Sequence, residues 1–162
     1  MKILYLEDES ALREWTADEL RAVSVLSTAG YEIDDYFRID QVKEYIEENR
    51  GEVALIITDL NMDDRWLGRY RNESCGGFLT GAVWLERFVY QTTPDVPTII
   101  YSAYIDLLKK EKPHLINSNV LCVEKGAGED FGFEGLLKAV EKILGFEGLR
   151  ESLEARYMKR GV

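Results

Sequence analysis

Four short apolar runs in this chain end in a polar side chain that could do chemistry. Residues 3–6 run into Glu7 and Asp8, Val53–Thr58 runs into Asp59, residues 98–101 run into Ser102, and residues 121–123 lead through Glu124 to Lys125. If these runs are neighbouring parallel strands, their carboxyl ends line one crevice, which is where open α/β sheets bind ligands. Three carboxylates, a hydroxyl and an amine would then converge on one spot. Close carboxylates repel one another and stay ionised only beside a cation. Oxygen donors with room for water suit Mg²⁺. A lysine and a small hydroxyl beside that cation would bind phosphoryl oxygens. A carboxylate between metal and lysine is a candidate nucleophile that becomes an aspartyl phosphate. Taken singly, Glu7 reads as a helix cap or a solvated charge, and Lys125 as a surface lysine. Asp59 follows a run that is apolar or β-branched throughout and caps nothing evident. The joint occurrence in chain order makes the pattern specific.

The elements that must position these groups follow from periodicity. A strand over 3–6 precedes a helical pattern over 11–29 (Leu12, Trp15, Leu20, Val23, Leu26), with Ser10 as its N-cap and Gly30 at its end. Residues 31–39 read as a second strand, and Asp40 caps a short helix carrying Val42, Tyr45 and Ile46. Val53–Thr58 is the clearest strand. A helix over 81–90, a strand over 97–101, a short helix broken near Pro113, a strand over Val120–Glu124 and a helix carrying Phe133, Leu136, Leu137, Val140, Ile143 and Leu144 complete the series. Strands alternating with helices imply a parallel sheet covered on both faces. Two stretches exceed that pattern. Residues 63–80 form a long connection without clear periodicity. The tail after Gly145 carries Phe146, Leu149, Leu153 and Tyr157 on one narrow apolar stripe. Such a stripe cannot hold a helix in water alone, so it must pack on its own domain, on a second copy in a homodimer, or on a partner. Packing on its own domain is the plainer of these.

Composition bounds the function. The chain has 162 residues, 46% of them hydrophobic, which suits one domain with a sizeable core and excludes a disordered chain. Its formal net charge of −10 disfavours nucleic acid and anionic membrane as partners. Two cysteines, Cys75 and Cys122, make no disulfide framework, and no apolar run approaches a membrane span or a signal-peptide core. A cytoplasmic protein is expected. The single histidine, His114, excludes a multi-histidine metal site and reads as a loop residue beside Pro113. Arg65, Arg69, Arg71, Trp66 and Tyr70 form either a docking patch or a solvated, charge-balanced excursion.

Residues 1–144 resemble the receiver domain of two-component response regulators. Ile-Leu-Tyr-Leu-Glu7-Asp8-Glu9 looks like that family's acidic first-strand motif, and Ile-Ile-Thr-Asp59-Leu-Asn61-Met62 like its phosphoacceptor motif. Ile-Ile-Tyr-Ser102-Ala103 looks like its fourth-strand hydroxyl and small residue, and Glu124-Lys125 like its fifth-strand lysine. The resemblance implies a flavodoxin-like, doubly wound, five-stranded parallel sheet of order 2-1-3-4-5 with helices on both faces. The inserted loop would be 63–80 and the helical extension 145–162. It implies Asp59 as phosphoacceptor, and Mg²⁺ held by Asp8, Asp59 and the Asn61 carbonyl, with Glu7 acting directly or through water. Ser102 and Lys125 would contact the phosphoryl oxygens. Ala103 would leave room for the phosphoryl group, and Tyr104 would stand near the path of attacking water and lengthen the life of the aspartyl phosphate. Gly81 matches the glycine that begins the family's third helix. The departures are Gly126 and Asp63 where the family has proline, and Cys122 at the position of its switch aromatic.

The expected function is a stand-alone response regulator. It would take a phosphoryl group on Asp59 from a sensor histidine kinase or phosphotransfer protein and signal to a downstream protein by contact, without being an enzyme beyond slow autodephosphorylation. The chain is too short to add a DNA-binding output domain to this unit. The alternative motivated by Gly126 and Cys122 is an interaction module that is not phosphorylated. A phosphohydrolase with an aspartyl nucleophile would want an acid/base Asp two residues after Asp59, where Asn61 stands and cannot transfer a proton.

Overall fold

The three central strands of the sheet are apolar on both sides, and the reason is visible in how their faces divide. In the computed structural model, which describes residues 1–126 and 130–160 (the side chains of 155–157, 159 and 160 lie outside that description), Leu4, Leu6, Ile56 and Ile100 pack into one core cluster. Ile3, Tyr5, Leu55, Ile57, Ile99 and Tyr101 pack into another. Side chains alternate along a strand, so one sheet with helices on both faces requires both sets to be apolar.

The sheet has the order β2-β1-β3-β4-β5, all parallel, from β1 (Lys2–Leu6), β2 (Glu32–Tyr36), β3 (Val53–Thr58), β4 (Thr98–Ser102) and β5 (Val120–Glu124). Register aligns the strand ends that matter: Leu6 stands beside Thr58, Thr58 beside Ile100, and Ser102 beside Glu124. The residues that follow, Glu7, Asp59 and Lys125, therefore leave the sheet together.

The helices are α1 (Ser10–Ala22), α2 (Ser24–Thr28), α3 (Ile39–Glu48), α4 (Thr80–Trp84), α5 (Tyr90–Thr92), α6 (Ile105–Glu111), α7 (Phe133–Leu144) and α8 (Leu149–Arg160). The single helix expected over 11–29 is two, because Val23 adopts an extended backbone (φ −74°, ψ 97°). Val23 is fully buried, so the break lets the chain turn while keeping an apolar anchor. Ser10 is the first helical residue and Glu9 stands at the cap, without a side-chain bond. Asp40 lies in the first turn of α3, paired with Arg38, rather than capping it. Between α4 and α5 the helix widens into a π turn over Leu85–Val89, a local irregularity that amphipathic periodicity does not signal.

The connection after β3 is more ordered than its sequence suggests. It carries a 3₁₀ helix, Asp64–Glu73, bent at Gly68, and Thr80 already belongs to α4. Asp64 accepts from Arg71 at 2.8 Å and from the Ser74 hydroxyl at 3.1 Å, and Leu67 is buried. Tyr70 meets Phe88 edge to face at 5.8 Å, and Arg87 pairs with Glu73 at 2.8 Å. Arg65 pairs with Asp63, and the Arg38 guanidinium lies 4.0 Å from the Trp66 ring. Arg65, Arg71, Trp66 and Tyr70 thus each have a partner within the chain, as does Arg69, which donates to the Tyr70 hydroxyl at 2.7 Å.

α8 packs on α1, α2 and α7. Leu149 and Leu153 are buried, the Phe146 ring meets Tyr31 at 5.6 Å, and the Leu149 N–H donates to Glu141 at 2.7 Å. Three of the four stripe residues thus face the chain's own body; the side chain of Tyr157 lies outside those described. No helix among the described residues is long and apolar enough to cross a membrane. His114 caps no site residue; its Nε2 is 2.9 Å from Glu86. Cys75 and Cys122 are both free thiols.

Candidate phosphoacceptor site

β1, β3 and β5 deliver three charges to one point. The Lys125 ammonium donates to Asp59 Oδ2 at 2.8 Å and also bonds Glu7 Oε2. All three side chains are buried or nearly so, at 10% exposure for Lys125 and Asp59 and 2% for Glu7. The backbone holds them in place. The Leu60 N–H donates to Asp59 Oδ1 at 2.6 Å, the Glu9 N–H to Glu7 Oε1 at 3.1 Å, and the Lys125 N–H to the Ser102 carbonyl at 3.2 Å. Lys125 also lies 5.4 Å from the centre of the Tyr101 ring.

One cation shared by two buried carboxylates leaves a surplus of negative charge. Burial, and then the nearby Asp59 charge, push the Glu7 carboxyl up to about 7 against the pull of Lys125. Burial works against the Lys125 ammonium, but Asp59 and Glu7 outweigh it and raise its pKa. Asp8, at the mouth of the site, is also raised. Burial is the main cause and the Asp59 charge adds to it, while the Asp63 N–H donating at 2.9 Å opposes it.

The remaining expected residues surround this triad. Ser102 is buried at the end of β4, and its Oγ accepts the Tyr104 N–H at 3.3 Å. Ala103 and Asn61 are exposed, and Tyr104 is half-buried with its ring against Phe78. The structure therefore brings Glu7, Asp59 and Lys125 into direct contact, sets Asp8 and Ser102 beside them, and leaves Asn61 and Ala103 at the surface.

Two glycines permit this arrangement. A Cβ on Gly81 would lie 1.9 Å from the Asp59 carbonyl oxygen, so only glycine lets α4 start against the end of β3, where the Gly81 N–H donates to the Leu60 carbonyl at 3.1 Å. Gly132, at φ +81°, would place a Cβ 2.6 Å from the Glu124 carbonyl. It keeps the entry to α7 tight against the loop carrying Lys125. Beside it the Tyr101 hydroxyl donates to the Phe131 carbonyl at 2.6 Å.

Sequence reasoning missed Asp63 as donor to Asp8, Thr80, whose hydroxyl donates to the Met62 carbonyl at 2.9 Å, and Phe78. All three lie in or beside the inserted connection. The Thr-Gly pair opening the apolar run at Val83 was the one local signal.

The donor chemistry suits a hard divalent cation: oxygen ligands only, with two carboxyls raised above their ordinary range by burial and mutual charge. Among the described residues, no three His, Cys, Asp or Glu side chains are already arrayed around a metal position, since the Lys125 ammonium stands between Glu7 and Asp59.

No protein-family model matches the chain, and no curated protein does. Solved structures do match. The receiver domain of the hybrid histidine kinase CckA is 23% identical, covers 89% of this chain and 99% of its own, and superposes with a TM-score of 0.59. A response regulator receiver domain protein from Clostridium thermocellum is 17% identical, covers 97% of each chain and gives a TM-score of 0.58. With its all-parallel 2-1-3-4-5 sheet and this likeness over nearly its whole length, the chain has the fold of the response-regulator receiver domains.

Proposed function

We propose that this chain is a receiver that accepts a phosphoryl group on Asp59 from a phosphohistidine of a sensor kinase or phosphotransfer protein, and signals by protein contact in the cytoplasm. The observation that carries the reading is the Asp59 carboxylate held by the Leu60 N–H on one oxygen and by Lys125 on the other, at the carboxyl end of the sheet with Ser102 on the next strand. In transfer, an Asp59 oxygen forms a bond to phosphorus as the bond from phosphorus to the donor imidazole nitrogen breaks, and the electron pair stays on the imidazole. Lys125 then neutralises phosphoryl oxygens, and the Ser102 hydroxyl is placed to hydrogen-bond one. Asp8, Asp59 and the Asn61 carbonyl would hold Mg²⁺, with Glu7 direct or through water. When bound, the ion neutralises charge that the phosphoryl group brings. Ala103 leaves the entry open. Glu7, with its raised pKa, releases Lys125 at little electrostatic loss when the phosphoryl oxygens claim it. Residues 1–144 are the working unit and 145–162 its extension; the chain is not an enzyme beyond slow loss of its own phosphate.

Incubation with a small acyl phosphate and Mg²⁺, followed by intact mass, tests this. The expected result is a single phosphoryl adduct that needs the metal and is lost in Asp59→Asn and Asp8→Asn. An unmodified parent protein would reject it in favour of an interaction module of the same fold.

A further inference from the structure

The inserted connection and the turn after β4 are joined beside the site by an aromatic pair. The Phe78 and Tyr104 rings have centroids 5.0 Å apart and planes tilted by 43°. Each ring stands on backbone anchored to the site. On the Phe78 side, the Thr80 hydroxyl is 2.9 Å from both the Met62 and Gly77 carbonyls, and the Gly81 N–H donates to the Leu60 carbonyl at 3.1 Å. Leu60 and Met62 belong to the stretch that directly follows Asp59. On the Tyr104 side, the backbone N–H is bonded to the Ser102 hydroxyl. β3 and β4 pair as far as Thr58 and Ile100, so Asp59, which follows Thr58, and Ser102, the last residue of β4, lie at neighbouring strand ends. The ring pair therefore links the segment after β3 to the turn after β4. Phe78 is 43% exposed, so it does this from outside the core.

We infer that Phe78 is a positioning residue: it holds the Tyr104 ring as a strap across the β3–β4 side of the crevice and limits how fast water and small phosphodonors reach Asp59. The inference rests on Asp59 being the phosphoacceptor. In hydrolysis the water oxygen bonds to phosphorus as the bond from phosphorus to the Asp59 oxygen breaks. The electron pair returns to the carboxylate, the proton passes to solvent, and inorganic phosphate leaves. In charging by an acyl phosphate, the Asp59 oxygen bonds to phosphorus as the bond to the acyl oxygen breaks, and a free carboxylate departs. Both need attacking and leaving oxygens in line, and so need access. A strap slows both, whereas a residue that merely aligned the site would slow charging when lost.

The experiment follows charging and decay of the adduct by intact mass in the parent, Phe78→Ala, Phe78→Leu, Tyr104→Ala and the double alanine variant, with melting as a check on folding. Phe78→Ala should quicken both charging and decay by about three- to tenfold. The double variant should be no faster than the faster single, and Phe78→Leu should recover most of the parent's slowness. An adduct on Phe78→Ala with the parent's lifetime, or slower charging, overturns the strap and leaves the phosphoacceptor reading intact. No adduct on the parent overturns both.

Discussion

At the carboxyl end of the sheet, Lys125 sits between Glu7 and Asp59 with all three side chains at most 10% exposed. In the connection after β3, Arg65 and Arg71 pair with Asp63 and Asp64 while remaining 74% and 60% exposed. Both regions set a cation against carboxylates at ion-pair distance, a lysine in the site and arginines in the connection. The difference is water. An exposed pair is screened and loses side-chain entropy, so it contributes little. A buried group whose partner is removed keeps an uncompensated charge in a medium that solvates it poorly. The site therefore holds its charges under tension and responds to a change in any of them, whereas the inserted connection spreads its charges over pairs that are individually dispensable and depends on Leu67, Tyr70 and its backbone turns for its shape.

The strongest way to break this contrast is Lys125→Met. It strands two buried carboxylates, and the expected loss is about 3–5 kcal/mol in metal-free protein, read from the urea midpoint at pH 8. The loss should shrink near pH 5, where Glu7 takes up a proton. An equal loss at both pH values would show that Lys125 acts by packing alone.

A second effect is somewhat smaller and sharpens the role of Glu7. Its pKa in the folded protein is about 7, above the ordinary carboxylate value, so the folded state holds the proton more tightly than the unfolded chain. That contribution is fully present below the ordinary carboxylate range and is lost as pH rises through about 7. Metal-free parent protein should lose stability relative to Glu7→Gln over that window, by up to about 3 kcal/mol at ~1.4 kcal/mol per pKa unit. Parallel stability curves for the two proteins from pH 4.5 to 8 would refute it.

The smallest effect belongs to the exposed pairs. Arg65→Ala should change stability by less than about 1 kcal/mol, and less still at high salt. Arg71→Ala should behave alike, because Asp64 keeps the Ser74 hydroxyl as a donor. A loss from either as large as that from Lys125→Met would erase the distinction between the two regions.

How much of this was legible beforehand varies along the chain. Val53–Thr58 and Val120–Glu124 could be read to the residue, because β-branched apolar runs bounded by polar residues have few alternatives. The break at Val23 could not. A buried valine at an extended corner looks like any other apolar residue in a helical stripe, and no glycine or proline marks it. The π turn at Leu85–Val89 and the 3₁₀ helix at Asp64–Glu73 were hidden for a related reason: both depend on which neighbours fill the space, such as Phe88 against Tyr70.

The alternation of apolar strands with helices is written in the order of residues, as are the acidic residues, the serine and the lysine that follow those strands. Local propensity and the period of the apolar pattern are properties of contiguous residues, so they can be read from the chain. The sharing of Lys125 by Glu7 and Asp59, the bond from the Asp63 N–H to Asp8 and the contact of Phe78 with Tyr104 arise only in the folded chain. These contacts join residues far apart in the chain, and the strength of the Lys125 pairs comes from burial. Burial exists only once the sheet and its two layers of helices have closed around them.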